Sequence, residues 1–152
     1  MGDFGDSNKV IKELFNGAIH SIKSVVPLEH SYDDPTLVNN QLAVEYGVLI
    51  GFSGNIKGQL IIRANPSLFN SIGEAMYGMT LPEEMLDSFS GELGNMLAGS
   101  LSTHLASNNI QTDITHPTLI KGESTLSGFS KALLVNVNYK TLGQMNIGLL
   151  IN

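Results

Sequence analysis

Three polar side chains with a potential for chemistry lie at intervals of four and three residues: Ser88, Glu92 and Asn95. In an α-helix these intervals place all three on one side. An asparagine amide cannot abstract a proton at neutral pH, but it can fix a water molecule for in-line attack on phosphorus. Phosphoryl transfer requires little beyond such positioning and charge stabilisation. A neighbouring carboxylate would repel a phosphoryl group unless it bound a cation, so we expect Glu92 to bind a lysine or arginine of a partner.

The predicted helix has one side with few bulky side chains. At about 100° per residue, this polar stripe also contains three further residues: Gly91, Gly99 and Ser102. The rest of the circumference is apolar and is expected to pack against the core: Leu86, Phe89, Leu93, Met96, Leu97 and Leu101. With Gly94 the helix contains three glycines, each costing about 1 kcal/mol relative to alanine, and close approach by another backbone is one reason for them. The stripe therefore predicts a partner-binding face that includes Ser88, Gly91, Gly99 and Ser102.

Other kinds of catalytic site find less support. A Ser-His-Asp triad would need a histidine near Ser88, but on the helix His104 points about 160° away. We expect His104 to be hydrogen-bonded in or beside the core. The other histidines, His20, His30 and His116, lack a paired-ligand spacing, so no metal site is expected. The absence of cysteine excludes disulfides, thiolate zinc sites and a cysteine nucleophile.

Length and charge narrow the class of protein. The chain has 152 residues with 42% hydrophobic content, which predicts one domain over residues 1–152. No charged-then-apolar leader pattern is seen, which argues against secretion, and no apolar run approaches the roughly 18 to 20 residues that span a bilayer, so we expect a soluble cytoplasmic protein. The net charge of −6, with eight scattered Lys and Arg residues, offers no basic stripe for nucleic acid.

The chain begins with a predicted helix and a loop. Residues 6–8 provide an aspartate, a serine and an asparagine that can cap a helix, and apolar residues then recur at helical spacing up to Val25 before Pro27 stops it. The segment 29–40 has no sustained apolar period and is predicted to be a loop.

Two strands joined by a hairpin follow. In the first strand, five residues alternate on one side: Leu42, Val44, Tyr46, Val48 and Ile50. In the second, three residues share one side: Ile56, Leu60 and Ile62. The glycine-containing segment 51–55 is predicted to join them. A phosphate-cradling loop would be followed by a helix rather than by another strand, so these glycines do not predict a nucleotide site.

Two helices and three strands complete the predicted order. Pro66 opens a helix that ends at Tyr77 and Gly78, and Thr80 with Glu83 fits a capping box for the long helix, which continues to about Ser107. Strands are predicted at 110–120, which contains Pro117, and at 131–139 and 144–151. The order α-β-β-α-α-β-β-β predicts an α+β fold with a mainly antiparallel sheet and helices packed on one face.

The spacing of the polar residues resembles a known signature. Ser88-x3-Glu92-x2-Asn95, followed by Pro117 after twenty-one intervening residues, is similar to the Asp/Ser-x3-Glu-x2-Asn-x22-Pro signature of the CheC/CheX/FliY phosphatases of bacterial chemotaxis. The element order is also similar, over nearly the whole chain. The distance to Pro117 departs by one residue, which a loop can absorb. Only one copy of the motif is present, which favours a CheX-like member, since CheC and FliY usually carry two.

This resemblance implies a mechanism and partners. The substrate would be a CheY-like response regulator phosphorylated on aspartate, in chemotaxis or a related two-component circuit. Asn95 would orient the attacking water and Glu92 would pair with the regulator's active-site lysine. The regulator would supply Mg²⁺, so the protein would need no cofactor of its own. Ser88 would support the helix contact and Pro117 would shape a neighbouring strand or loop. The family also implies a homodimer formed by pairing sheet edges.

Three alternatives stay open on the sequence. The first is a non-catalytic module of the same fold that docks a receiver domain or another signalling protein. The second is a structural component of a flagellar or chemotaxis assembly. The third is a dimer in which the glycine-bearing helix packs against its symmetry mate and buries Glu92 and Asn95. Asn95 separates catalysis from the first alternative, because catalysis requires it and docking does not. Long charged tails or appended domains would favour the second alternative, and burial of Glu92 and Asn95 would favour the third.

Overall fold

The first helix is longer than its predicted start implies. The computed structural model describes the backbone of residues 3–152 and the side chains from Lys9 onward. Helix α1 spans Asp3–Val25 and ends before Pro27, as expected. It begins ahead of residues 6–8, so the predicted capping position is wrong. The side chains of those three residues lie outside the described part of the chain.

Within residues 3–152, eight antiparallel strands form one sheet in the order β1-β7-β8-β4-β3-β5, with β2 also paired to β7 and β6 also paired to β3. The strands are β1 Ser31–Tyr32, β2 Thr36–Val38, β3 Leu42–Gly54, β4 Gly58–Ala64, β5 Thr112–Ile114, β6 Thr118–Leu126, β7 Lys131–Asn138 and β8 Gln144–Ile151. The other two helices are α2 Pro66–Tyr77 and α3 Leu86–Ser107. The main core lies between the helices and one face of the sheet. The predicted α+β architecture is confirmed.

Two predicted boundaries are wrong, one at two short strands and the other at a strand that Pro117 interrupts. The segment 29–40, predicted to be a loop, contains β1 and β2, which have two and three residues and pair with β7. Strands this short show no periodicity that a sequence pattern can detect. The predicted strand 110–120 is two strands, β5 and β6, which are separated by residues 115–117, and β6 continues past the predicted end to Leu126. Pro117 cannot donate to a ladder, and Thr115 instead bonds Gly51 through its amide, at 2.9 Å, and its hydroxyl, at 2.8 Å.

A bulge reverses the alternation of β3. The register between β3 and β6 shifts between Val44 and Tyr46. As a result, Tyr46 and Val48 face the helices, whereas Leu42 and Val44 contact a second apolar cluster on the opposite face. The prediction that all five alternating residues share one side is therefore wrong. The chain takes three steps in β6, from Ser124 to Lys121, against two in β3, from Val44 to Tyr46, so the extra residue lies in β6 and the period of two in β3 cannot reveal it.

Short connections require the sheet to curl. Residues 39–41 link β2 to β3, although these strands lie four positions apart in the sheet. In a flat sheet, four strand spacings would place β2 and β3 about 19 Å apart. The four Cα–Cα steps from Val38 to Leu42 span at most about 14 Å. The second apolar cluster, which includes the fully buried Ile61, Ala132 and Leu150, lies on the side opposite the helices.

The hairpin turn between β3 and β4 is shorter than predicted, because residues 51–54 still belong to β3.

The start of α3 differs from the prediction. Helix α2 has the expected ends: Asn65 caps it through Ser67 and Gly78 ends it at φ +73°. The predicted capping box of Thr80 and Glu83 does not form. A single 3-10 turn, Glu83–Met85, precedes α3, and neither helical start has a side-chain cap. Because helical backbone begins only at Glu83, Thr80 lies too far ahead to bond the first free amides.

Gly94 brings α3 close to the sheet. A Cβ atom at Gly94 would lie 2.6 Å from Cγ1 of Val48 in β3. Gly17 plays the same part between α1 and α3, since its Cβ would lie 2.6 Å from Cδ1 of Leu101. Close approach therefore explains Gly94 but not Gly99, whose Cβ would meet no atom within 4 Å.

We expect Gly94→Ala to lower the free energy of unfolding by about 1–3 kcal/mol through overpacking against Val48. Alanine's better helix propensity, worth about 1 kcal/mol, offsets only part of this loss. Gly99→Ala is the matched control and should be neutral or stabilising by up to about 1 kcal/mol. Urea unfolding of both variants checks this expectation. Equal stability changes would show that α3 can move away from β3 at no cost.

Candidate functional site

The three motif residues lie on one exposed side of α3. Ser88, Glu92 and Asn95 are all solvent-exposed. The side chains of Glu92 and Asn95 make no hydrogen bond or ion pair with another described residue. A carboxylate and an amide are therefore available to a partner about one helical turn apart.

The stripe between these residues carries little bulk. A Cβ at Gly91 would meet only Cγ of Pro117, at 3.9 Å, and Gly99 is open. The opposite side of the helix is buried, but Met96 was misassigned to it: its side chain is 37% exposed. Elsewhere on the packed side, Ser90 and Gly94 are buried although neither was assigned to it. The burial of Ser90 was not predicted, because it depends on hydrogen bonds that its hydroxyl makes inside the protein.

Three contacts hold α3 against the segment that contains β5 and β6. Near the start of the helix, Nζ of Lys121 lies 2.9 Å from Oδ2 of Asp87. One turn later, Pro117 lies beside Gly91. Towards the end, the Ser102 hydroxyl lies 2.9 Å from Oγ1 of Thr112 and donates to the Thr112 carbonyl at 3.2 Å. The Ser102 hydroxyl is thus engaged within the chain.

These contacts bring the motif's proline to the polar stripe. Pro117 lies twenty-two positions after Asn95 in the chain, yet it borders the same side of α3 at Gly91. All four motif positions therefore belong to one surface. The loop before β6 accommodates the one-residue difference in spacing, because residues 115–117 lie between strands.

A polar network at the first turn of α3 was not predicted from the sequence. The buried Tyr46 of β3 donates its hydroxyl to Oδ1 of Asp87 at 2.9 Å and lies 3.0 Å from Oγ of Ser90. Ser90 in turn donates to the Leu86 carbonyl at 2.9 Å. Hydrogen bonds from Lys121 and Tyr46 lower the pKa of Asp87, and burial raises the pKa of Tyr46. The only sequence signal was an acidic residue in a first helical turn.

His104 differs from its prediction. It lies at the contact between α1 and α3, far from Ser88, but its Nε2 atom has no hydrogen-bond partner among the described residues. Nε2 is 3.7 Å from Oε1 of Glu13, and the ring lies 5.3 Å from that of His20 between centroids.

Within the described chain, no group of three or more potential metal ligands occurs. In that same part, no helix is long and apolar enough to cross a membrane.

Comparison with known proteins identifies the class. The family model described as chemotaxis phosphatase CheX matches residues 46–133, more than half of the chain, including the whole of α3. The CheY-P phosphatase CheX of Thermotoga maritima is 29% identical over 118 residues, which cover 75% of this chain and 76% of that protein. A match of this extent places the chain in the class of chemotaxis phosphatases. The chain belongs to the CheX family, as the motif resemblance predicted.

Solved structures share the fold. The CheX-CheY-BeF3-Mg²⁺ complex from Borrelia burgdorferi aligns with a TM-score of 0.75 at 21% identity, covering 93% of this chain and 97% of that chain. CheX from Vibrio vulnificus aligns with a TM-score of 0.75 at 20% identity, covering 95% and 99% of the two chains. The curled sheet with helices on one face is therefore the fold of these proteins.

We expect the Asp87 network to make stability depend on acid pH. The folded-state pKa of Asp87 lies below its usual value of 3.8, so the stabilisation is present above that value and is lost as the pH falls through the lower folded pKa. Because the Asp87 side chain is 44% exposed, Asp87→Asn should cost less than about 1 kcal/mol at pH 7. Urea unfolding between pH 7 and pH 3 should show this difference closing below about pH 4.

Asp113→Asn, which changes an exposed carboxylate on β5, is the control and should show no such closing gap. A difference between wild type and Asp87→Asn that stays constant down to pH 3 would contradict the assignment.

Proposed function

We propose that this protein dephosphorylates the aspartyl phosphate of a CheY-like response regulator, with Asn95 orienting the attacking water. The observation that carries the proposal is the exposure of Glu92 and Asn95, both without a described partner, on the side-chain-poor stripe of α3 in a CheX family member. Two relatives support the choice of substrate. The Thermotoga maritima relative is a CheY-P phosphatase, and the Borrelia burgdorferi protein of this fold forms a complex with CheY.

Asn95 contributes position rather than basicity. Its carbonyl oxygen accepts a hydrogen bond from water and its amide group donates one to a neighbouring acceptor. The water oxygen attacks phosphorus opposite the aspartyl oxygen, the bond between phosphorus and that oxygen breaks, and the products are the aspartate carboxylate and inorganic phosphate. Restricting the water to the in-line direction removes an entropic part of the barrier. The bare surface around Gly91 lets Asn95 enter a recessed phosphorylation site.

Glu92 binds a cation of the regulator. An exposed carboxylate one turn before Asn95 would repel a phosphoryl group, and a lysine of the partner removes this repulsion by a charge-assisted hydrogen bond. The contact exists before the chemical step, so Glu92 supports both binding and turnover. In this proposal the Mg²⁺ is the regulator's own, as the family resemblance implies, and Ser88 contacts the partner alongside Glu92.

The scaffold keeps both groups in place. Asp87 is bound by Tyr46 and Lys121, and Gly94 seats the helix on Val48. Sites on a rigid helix hold catalytic groups more precisely than sites on loops. We place the reaction in the cytoplasm, in chemotaxis or a related two-component circuit.

We also propose a homodimer formed through the outer edge of β6. This strand has nine residues and pairs with β3 on one side, whereas β1 and β2 form a broken edge at the other end of the described sheet. Two copies of β6 can pair antiparallel about a two-fold axis, which is an isologous contact. The edge lies next to Pro117 but leaves the polar side of α3 open.

We expect Asn95→Ala to lower kcat by about 10²- to 10³-fold, the loss typical of one preorganised positioning group, with little change in binding of the phosphorylated regulator. Glu92→Gln should weaken binding as well as turnover, since it removes the charge of a contact made before chemistry. Release of inorganic phosphate from CheY-like receivers of the source organism, phosphorylated by a small-molecule donor with Mg²⁺, measures both effects.

Asn16→Ala, on the exposed side of α1, and Glu74→Gln, exposed on α2, are matched controls that should retain wild-type rates. Wild-type turnover by Asn95→Ala would eliminate the mechanism. Binding of the phosphorylated regulator without any acceleration would instead identify a docking module.

We expect the wild-type protein to sediment as a dimer, and one proline in β6 to convert it to a monomer. In an antiparallel strand, neighbouring residues direct their amides to opposite sides, so one of Ser124→Pro and Thr125→Pro removes an outward amide while sparing the β3 ladder. Analytical ultracentrifugation of both variants provides the measurement. A monomeric wild type, or two dimeric proline variants with native circular dichroism, would refute pairing through β6.

A further inference from the structure

A groove of about 800 Å³ opens beside the polar stripe, at the end of α2 and the start of α3. We call it the α2–α3 groove. Its apolar lining consists of six residues: Tyr77, Met79, Leu81, Pro82, Met85 and Phe89. Ser88 and Glu92 form the boundary that it shares with the motif surface. The groove is therefore continuous with the surface to which the proposed function assigns the regulator.

The floor of the groove is fixed and its rim is exposed. Phe89 is buried and lies 5.8 Å from Tyr77 between ring centroids. Leu81 covers Gly73, where a Cβ would lie 2.3 Å from its Cδ1 atom. In contrast, Tyr77, Met79 and Met85 are 56%, 63% and 50% exposed. Large apolar side chains grouped at such exposure mark an interaction surface more often than scattered ones do.

The charge around the groove has one sign. Among the residues that the structure describes, Glu84 and Glu92 line it and no lysine or arginine does. Glu83 belongs to the same short turn as Glu84 and Met85. An occupant that combines an apolar side chain with a neighbouring cation would match both the lining and the charge.

A protein interface of ordinary size that is centred on Asn95 would also cover this groove. A stable interface covers about 800 Å² on each partner, which corresponds to a disc of roughly 16 Å radius. At 1.5 Å of rise per residue, Met85 lies about 15 Å along the helix from Asn95. A receiver domain centred on Asn95 therefore reaches the groove. Towards the other end of α3, the stripe offers the bare Gly99 and the internally bonded Ser102.

We propose that the α2–α3 groove is the affinity-determining docking site for the same phosphorylated receiver domain, and that it binds an apolar side chain with an adjacent basic residue on that domain. This inference rests on the proposed function. It separates two roles along one helix. Asn95 acts on the bond that breaks, whereas the groove supplies binding energy from a part of the substrate that does not react.

The experiment compares steady-state phosphate release by wild type, Met79→Ser, Met85→Ser, the double variant and Glu84→Lys. We expect KM to rise about tenfold in the double variant and several-fold in Glu84→Lys, with kcat changed less than twofold. Leu142→Ser is the matched control, because Leu142 is 42% exposed at a site away from α3. Thermal unfolding followed by circular dichroism confirms that the variants fold, and direct titration with the phosphorylated receiver separates affinity from turnover.

The outcomes distinguish the two proposals. Unchanged KM and affinity in the double variant, with turnover lost in Asn95→Ala, would overturn the groove assignment and leave the phosphatase mechanism intact. Absence of turnover by wild type, with receiver affinity still reduced by the groove substitutions, would support the docking site and overturn the mechanism. A changed oligomeric mass with unchanged receiver affinity would assign the groove to a second copy of this chain, and would also overturn the inference.

Discussion

The contact between α3 and β3 at Gly94 is the constraint on which the surface chemistry depends. With no Cβ between them, the helix backbone lies against Val48 and Ile50, and this contact fixes which side of α3 faces the sheet. Side chains turned away from this contact then face outward. At about 100° per residue, Glu92 lies about 160° and Asn95 about 100° around the helix from Gly94, and both side chains are exposed. The buried glycine and the exposed motif are two consequences of one orientation.

Orientation alone would leave the helix free to slide or tilt, and polar contacts near its ends restrict this. Asp87 is held by Tyr46 of β3 and by Lys121 of the neighbouring edge strand β6. Near the other end, Ser102 bonds Thr112. The motif residues lie between these contacts. The arrangement satisfies the buried hydroxyl groups of Tyr46 and Ser90, which matters because an unpaired buried polar group is costly.

Most of the long elements could be predicted from the sequence, with the exception of β6, whereas the tertiary details could not. The strand β8 and the helix α2, which Pro66 opens and Gly78 ends, were found at their predicted positions because their signals are local. The bulge at Val44 escaped because it depends on the partner strand, where Gly122 has a φ of +92°. Spacing alone placed Ser88, Glu92 and Asn95 on one side of a helix. The Tyr46–Asp87 bond joins residues forty-one positions apart, and no local pattern connects them.

Two acidic residues of α3 show how the fold separates a structural charge from one available to a partner. Asp87 already has a cation and a hydroxyl donor, so it offers little to a second protein. Glu92, five positions later, has no partner among the described residues and is exposed to solvent. In the free protein the Glu92 carboxylate is solvated by water. An interface that desolvated this carboxylate without supplying a cation would lose binding free energy. Under the proposed function, Glu92 therefore contributes to specificity as much as to affinity, since it rejects surfaces that lack a correctly placed lysine or arginine.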